Sequence, residues 1–83
     1  MKEKQIGEIM WGLEELQKDS TVPKNVKIRI QNTMDILNGK TDLSIRINKA
    51  LNELDEIADD TNIQSYTRTQ IWNIVSLLEK ISS

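Results

Sequence analysis

The sequence contains no cysteine and no histidine, and its only aromatic residues are two tryptophans and one tyrosine. Without cysteine the chain can form no disulfide, no thiolate nucleophile and no sulfur-ligated metal site, which fits a reducing cytosol. Without histidine it lacks the side chain that most often carries protons in catalysis at neutral pH. The shortage of aromatic residues predicts an aliphatic core.

Phosphate loops and hydrophobic targeting segments are also missing. The glycines Gly7, Gly12 and Gly39 are isolated, and none opens a helix after a strand. The charged start at residues 1–5 is followed by no apolar region, and no run approaches the roughly 18 apolar residues of a membrane span. We therefore expect a cytoplasmic protein with no membrane contact. The net charge of −2 is too small to indicate a partner.

Size and composition indicate one small folded domain over residues 1–83, with 37% hydrophobic and 29% charged residues. A chain of this length buries only about 60 to 65% of the surface that its unfolded form exposes. We therefore expect modest stability unless a partner or a second copy covers more of the surface, which leaves self-association open.

The chain contains an internal repeat, since residue types return after about 41 positions. The two copies span about residues 6–37 and 47–78. Identical pairs are Ile6 and Ile47, Leu13 and Leu54, Glu15 and Glu56, Asp19 and Asp60, Ile30 and Ile71, Asn32 and Asn73, and Leu37 and Leu78.

Apolar residues recur at helical spacing throughout, and no segment alternates as a strand does. The pattern predicts helices over about residues 3–18, from Pro23 to Asn38, from Leu43 to Ala58, and over about residues 64–81. Gly39 is the expected left-handed residue after the second helix, and Asp42 the expected N-cap of the third.

Short connections predict antiparallel neighbours, so the fold class is all-α, with two tandem helical hairpins. The hairpins can close into an up-and-down four-helix bundle or stack in an open row like HEAT repeats. Open solenoids generally need about three repeats to cover a core, so we expect the closed bundle.

Four large apolar residues lie off the buried stripes of their helices: Trp11, Ile28, Ile45 and Trp72. Such residues can be isolated exposed groups, or they can contact a second neighbour within a bundle. They can also form a partner interface, because tryptophan is favoured at the centres of interfaces. The fourth helix carries few charges, which predicts that most of it is covered by other helices or by a docked partner.

Acidic residues crowd the end of the third helix: Glu53, Asp55, Glu56, Asp59 and Asp60. Carboxylate bundles that bind two metals use Glu-x-x-His pairs pointing inward, and this cluster lies beside the apolar stripe with no histidine available. We predict no metal, no cofactor and no catalytic residue. Asp19 and Asp60 most simply cap the helices that follow them.

Basic residues on the second and fourth helices suggest an alternative. Lys24, Lys27 and Arg68 could form a small positive patch for the phosphates of RNA or DNA, although no aromatic platform accompanies them. Solvated helix faces carry such charges routinely.

Three segments resemble the small archaeal proteins of uncharacterised protein family 0147. They are residues 19–26, residues 54–57 and, most specifically, the string Thr67, Arg68, Thr69, Ile71, Trp72 and Asn73. The resemblance covers nearly the whole chain and implies an archaeal all-helical bundle with no assigned activity. Family members often follow the proline segment with arginine and alanine, where this chain has residues 27–30 as Lys-Ile-Arg-Ile.

Together these observations predict a non-catalytic protein-interaction module, self-associating or bound to another protein, with nucleic-acid binding as the alternative. A salt titration distinguishes the two, because phosphate binding weakens steeply as salt rises.

Overall fold

The apolar stripes of the sequence form four α-helices in the computed structural model, which describes residues 2–82. The helices are α1 (Lys2–Lys18), α2 (Lys24–Leu37), α3 (Leu43–Ala58) and α4 (Ser65–Ser82). Each boundary lies within about two residues of its predicted position. The described residues contain no strand, which confirms the all-α fold class.

The order of helix contacts distinguishes the bundle from the stack. The packed pairs are α1 with α2, α2 with α3, α3 with α4, and α4 with α1. In a stack of two hairpins, α1 would pack on α3 and α2 on α4. The observed ring of neighbours is that of an up-and-down four-helix bundle.

Nearly every core side chain is aliphatic, and all three aromatic residues lie outside the core. Each fully buried leucine or isoleucine contributes about 1.5 to 3 kcal/mol of transfer free energy to folding. The fully buried large aliphatic residues are Ile9, Leu13, Val26, Ile30, Leu37, Ile47, Leu54, Ile57, Ile71 and Leu78.

At the C-terminal ends of two helices, an arginine of the following helix donates hydrogen bonds to backbone carbonyl groups. Arg46 donates from Nε to the carbonyl of Thr41 at 2.9 Å and from Nη1 to the carbonyl of Leu37 at 2.8 Å. Arg68 donates in the same way to the carbonyls of Ala58 and Asp60, both at 2.9 Å. These arginines satisfy acceptors that a helix leaves open at its C-terminus.

The end of α2 departs from the prediction. No glycine has a positive φ, so Gly39 is not the left-handed residue that we expected. Asn38 ends the helix in the right-handed region at φ −84°, and the Gly39 amide donates to the carbonyl of Ile36 at 3.1 Å. Because Arg46 binds the Leu37 carbonyl, no left-handed turn is needed to satisfy it.

The acidic residues before helices also behave differently from the prediction. Asp19 accepts hydrogen bonds from the amide and hydroxyl of Thr21, at 2.9 and 2.7 Å, and Asp60 accepts from the Asn62 amide at 2.8 Å. Both carboxylates therefore order the connecting turn rather than cap the next helix. Asp42 occupies the N-cap position of α3, but its side chain makes no capping hydrogen bond.

The other helices of this chain do not cover most of α4, so that part of the prediction is wrong, whereas coverage by a docked partner stays a prediction. Only its inner stripe is buried, and Tyr66, Thr69 and Trp72 are exposed. The few charges on this helix reflect an uncharged polar outer face rather than a central position in the bundle.

Candidate interaction groove between the first and fourth helices

The four off-stripe apolar residues are all exposed, at 64% for Trp11, 58% for Ile28, 44% for Ile45 and 45% for Trp72. Each lies on a different helix. Ile28 and Ile45 each precede a fully buried isoleucine by two residues, so each points about 200° away from its helix's core face. Their role in a partner interface stays a prediction.

Trp11 is brought together with an aromatic residue that the sequence analysis did not single out. Trp11 on α1 and Tyr66 on α4 line one groove of about 570 Å³ between these helices. Tyr66 is 62% exposed, and the side chain of Leu16 contributes an apolar part of the wall. Trp72 lies elsewhere, since it follows the groove residue Gln70 by two positions and points about 200° away from it.

The groove is open because a glycine stands where α1 and α4 come close. Gly12 lines it, and a Cβ at this position would lie 3.5 Å from Cδ1 of Ile74 on α4. That distance is ordinary van der Waals contact, so alanine fits here. A longer side chain would extend from the wall into the groove.

Carboxylates give the lining of the groove a net negative charge. Glu15 and Asp19 line it together with one cation, Lys18. Hydrogen bonds from the Thr21 hydroxyl and amide lower the pKa of Asp19 from its ordinary value, so this carboxylate is charged at neutral pH. Glu15 makes no ion pair within the described part of the chain. Aromatic faces and acidic groups therefore share one concave surface.

The predicted repeat makes the groove between α2 and α3 the counterpart of the α1/α4 groove. We call it the filled groove, because an arginine side chain lies between its two helices. Arg29 donates from Nε to Glu53 at 3.2 Å and from Nη2 to Glu56 in a short contact. Burial alone would lower the pKa of Arg29, but the hydrogen bonds that it donates to Glu53 and Glu56 outweigh burial and raise the pKa. An arginine thus bridges two carboxylates across this groove.

The repeat pairs each position of one groove with a position of the other, and several of these pairs carry different residues. Gln70 stands at the position of Arg29, and Gly12 at the position of Glu53. Glu15 is the counterpart of Glu56, so one carboxylate of the arrangement is kept while the arginine is lost. The sequence features that could have identified this groove are the different residues at these matched positions, together with Tyr66 four residues before Gln70.

The three residues of the predicted nucleic-acid patch differ in their exposure and in the groups that they bind. Lys24 is exposed and Lys27 half-buried, whereas Arg68 uses its guanidinium to bind the carbonyls of Ala58 and Asp60. Phosphate binding by these residues stays a prediction.

Two general features of the described residues bear on other kinds of site. Among the side chains that the structure describes, those of residues 4–82, no three or more acidic groups are placed to hold a metal ion. Within residues 2–82, no helix combines the length and apolar character needed to cross a membrane.

Fold and groove define a small four-helix bundle with an aromatic and acidic surface groove between its first and last helices. The family model for the uncharacterised protein family UPF0147 matches residues 1–81. The chain belongs to this family.

Individual relatives agree with that assignment. The UPF0147 protein TV0625 of Thermoplasma volcanium is 37% identical over 83 residues, which covers 99% of this chain and 93% of that protein. A UPF0147 protein of Methanosarcina mazei is 40% identical over 70 residues, covering 83% of this chain and 75% of that protein. The crystal structure of a family member from Thermoplasma acidophilum superposes with a TM-score of 0.91 at 37% identity, covering 96% and 95% of the two chains. These relatives are archaeal, and the family carries no assigned function.

Proposed function

We propose that the protein is a non-catalytic protein-interaction module whose main contact surface is the α1/α4 groove. The observation that supports this most is the joint exposure of Trp11 and Tyr66 on one concave surface. Tryptophan and tyrosine are enriched among the residues that contribute most of the binding energy at protein interfaces. Soluble monomers rarely leave a cluster of such residues exposed to solvent. A scaffold of four short helices supplies a rigid base for them.

The non-catalytic part of the proposal rests on the chemistry of the side chains. The sequence offers no histidine or cysteine. Of the groove carboxylates, Glu15 is exposed and Asp19 half-buried, so neither has the buried setting that is common for a catalytic acid or base. We also propose a cytoplasmic location, on the absence of cysteine.

Nucleic-acid binding is the weaker candidate, and no specific observation favours it. Arg68 already binds the backbone carbonyls of Ala58 and Asp60, and the α1/α4 groove carries more acidic than basic groups. Like charges would repel phosphate there.

Capture of partners by the tagged protein tests the proposal, using cell extract that has been treated with nuclease. Trp11→Ala and Tyr66→Ala should each remove the bound proteins, and Trp72→Ala is the matched control because it removes an exposed tryptophan outside the groove. All three side chains lie outside the core, so each variant should keep the helical fold, which circular dichroism checks.

Three results would count against the proposal: retention of the same proteins by both groove variants, loss only with Trp72→Ala, or loss on nuclease treatment alone. The last result would instead support the phosphate-binding candidate. A second copy of the chain among the retained species would identify self-association, which sedimentation of the purified protein can then measure.

A further inference from the structure

We infer that the α1/α4 groove receives an arginine side chain from a partner protein. This inference rests on the proposed function and names the chemistry of the bound group. The chain itself provides the template, because its other groove holds an arginine between two carboxylates.

In the template, Arg29 lies against α3 with its guanidinium shared by Glu53 and Glu56. The planar guanidinium suits this role, since its donors point in fixed directions that can engage two carboxylates at once. Arg29 is about one-third exposed, so the ion pairs close the groove near its surface rather than deep in the core.

The α1/α4 groove keeps one of the two carboxylates of this arrangement and has no arginine, and its one lining cation is Lys18. Glu15 matches Glu56 through the repeat, and Asp19 adds a second carboxylate one helical turn further along. Gln70 replaces the arginine, and its side chain makes no hydrogen bond to the side chains described, those of residues 4–82, or to the backbone of residues 2–82. Gly12 removes the side chain that would otherwise narrow the space.

Aromatic residues appear in the open groove where the filled groove has none. Trp11 and Tyr66 match Asn52 and Asn25 through the repeat. A guanidinium stacks on aromatic faces while its edge binds carboxylates, and an arginine entering between these rings would do both. The exchange of two asparagines for two aromatic residues accompanies the loss of the internal arginine.

A second copy of this chain does not provide the arginine. The sequence has three arginines, Arg29, Arg46 and Arg68, and each already binds carboxylates or backbone carbonyls of its own chain. Withdrawing one of them would leave those acceptors without a donor. The arginine therefore belongs to a different protein, in an exposed segment that can reach the groove.

Nuclear magnetic resonance titration of the ¹⁵N-labelled protein tests the inference. The probe is the capped tripeptide Ala-Arg-Ala, compared with the same peptide carrying citrulline, which has the shape of arginine without its charge. The arginine peptide should shift the indole N–H of Trp11 and the amides around Gly12 and Gln70, and the citrulline peptide should bind at least about tenfold more weakly. Equal shifts with both peptides, or no localised shift with arginine, would overturn the inference. A lysine peptide binding as tightly as the arginine peptide would also overturn it, because a guanidinium would then not be required.

A matched pair of substitutions locates the charge that matters. Glu15→Gln should weaken the arginine peptide about tenfold, whereas Glu14→Gln, one residue earlier and outside this groove, should leave it unchanged. Similar affinities for the two variants would contradict a role for Glu15.

The two proposals fail in different ways. If captured proteins depend on Trp11 and Tyr66 but the arginine peptide does not bind, the inference fails and the interaction module stands. If the captured proteins are also indifferent to Trp11→Ala and Tyr66→Ala, both fail.

Discussion

The groove between α2 and α3 and the groove between α1 and α4 are built on the same backbone plan and end up chemically opposite. In the first, Arg29 joins Glu53 and Glu56 and the surface is closed. In the second, Gly12 and Gln70 stand at the matching positions, and Trp11 and Tyr66 are exposed beside an unpaired Glu15. The comparison separates the requirements of folding from the features available for binding.

The comparison teaches that the ion pairs of the filled groove are not a requirement of the fold. Ile9 and Leu13 of α1 are buried in the same core as Ile71, Ile74 and Leu78 of α4, and no ion pair joins these two helices in the described residues. Burial of aliphatic side chains is therefore sufficient to hold two helices together here, and the surface between them is free to differ.

Transferring the arginine arrangement into the open groove should give the largest effect. The double variant Gly12→Glu with Gln70→Arg should raise the free energy of unfolding by about 2 kcal/mol, of which about 1 comes from removing a mid-helix glycine and up to about 1 from the new ion pairs. Urea denaturation measures the change, and Gly12→Gln with Gln70→Arg is the control that keeps the shape and removes one charge. A double variant no more stable than wild type would show that the two grooves are not interchangeable.

The reverse change, Arg29→Gln, should open the filled groove. Removing the guanidinium leaves Glu53 and Glu56 facing each other without a cation, and we expect a loss of about 1 kcal/mol because the pair is partly exposed. Lys24→Gln removes an exposed cation that makes no ion pair in the described residues and should change stability by less than about 0.3 kcal/mol. If the two variants are equally stable, the internal bridge contributes nothing and the template loses its energetic basis.

A smaller effect should follow from a buried hydroxyl on α4. Thr67 is fully buried and its Oγ1 has no hydrogen-bond partner, while the repeat places Val26 at the same position of α2. Thr67→Val should raise stability by about 0.5 to 1 kcal/mol, since it removes an unsatisfied polar group at nearly constant volume.

Thr33→Val gives the opposite case for comparison. Thr33 is equally buried, but its hydroxyl donates to the carbonyl of Arg29 at 3.0 Å. This variant should be destabilised, and thermal unfolding of the two proteins side by side checks both signs. Stabilisation by Thr33→Val, or destabilisation by Thr67→Val, would contradict this explanation.

The smallest effect should be a pH dependence at the rim of the open groove. The pKa of Asp19 is lower in the folded protein than in the unfolded chain, so its hydrogen bonds to Thr21 favour folding above the ordinary carboxyl pKa. This contribution is lost as pH falls from about 4 through the lower native pKa. Asp19→Asn should therefore be less stable than wild type at neutral pH, and the two should converge in acid.

Asp42→Asn is the control for this pH series, because the Asp42 side chain makes no capping hydrogen bond. Circular dichroism melts over a range of pH from about 7 to about 2 measure all three proteins. A constant difference between wild type and Asp19→Asn over this range would show that the carboxylate's charge is not involved.

Local periodicity was sufficient to predict the helices, because a continuous apolar stripe and short polar connections determine both helix bounds and neighbours. It also placed Trp11 off the buried stripe of α1, nearly opposite Leu13, and the structure shows this side chain exposed. The contribution of Tyr66 was invisible, because only the packing of α4 against α1 brings it to the same groove. Gly39 was misjudged because Arg46 from the next helix binds the Leu37 carbonyl that local rules assign to a left-handed turn. Asp60 was misjudged because its carboxylate accepts a hydrogen bond from the Asn62 amide within the connecting turn.

The most direct measurement is the indole N–H shift of Trp11 during titration with the Ala-Arg-Ala peptide, in wild type and in the Gly12→Glu, Gln70→Arg double variant. Trp72 reports on the outside of the same bundle within the same spectrum. If the open groove binds arginine, the indole N–H signal of Trp11 in wild type shifts to saturation while that of Trp72 does not move. In the double variant, whose own arginine fills the groove, neither indole signal shifts. Equal movement of the two indoles, or the same Trp11 shift in the double variant, would contradict it.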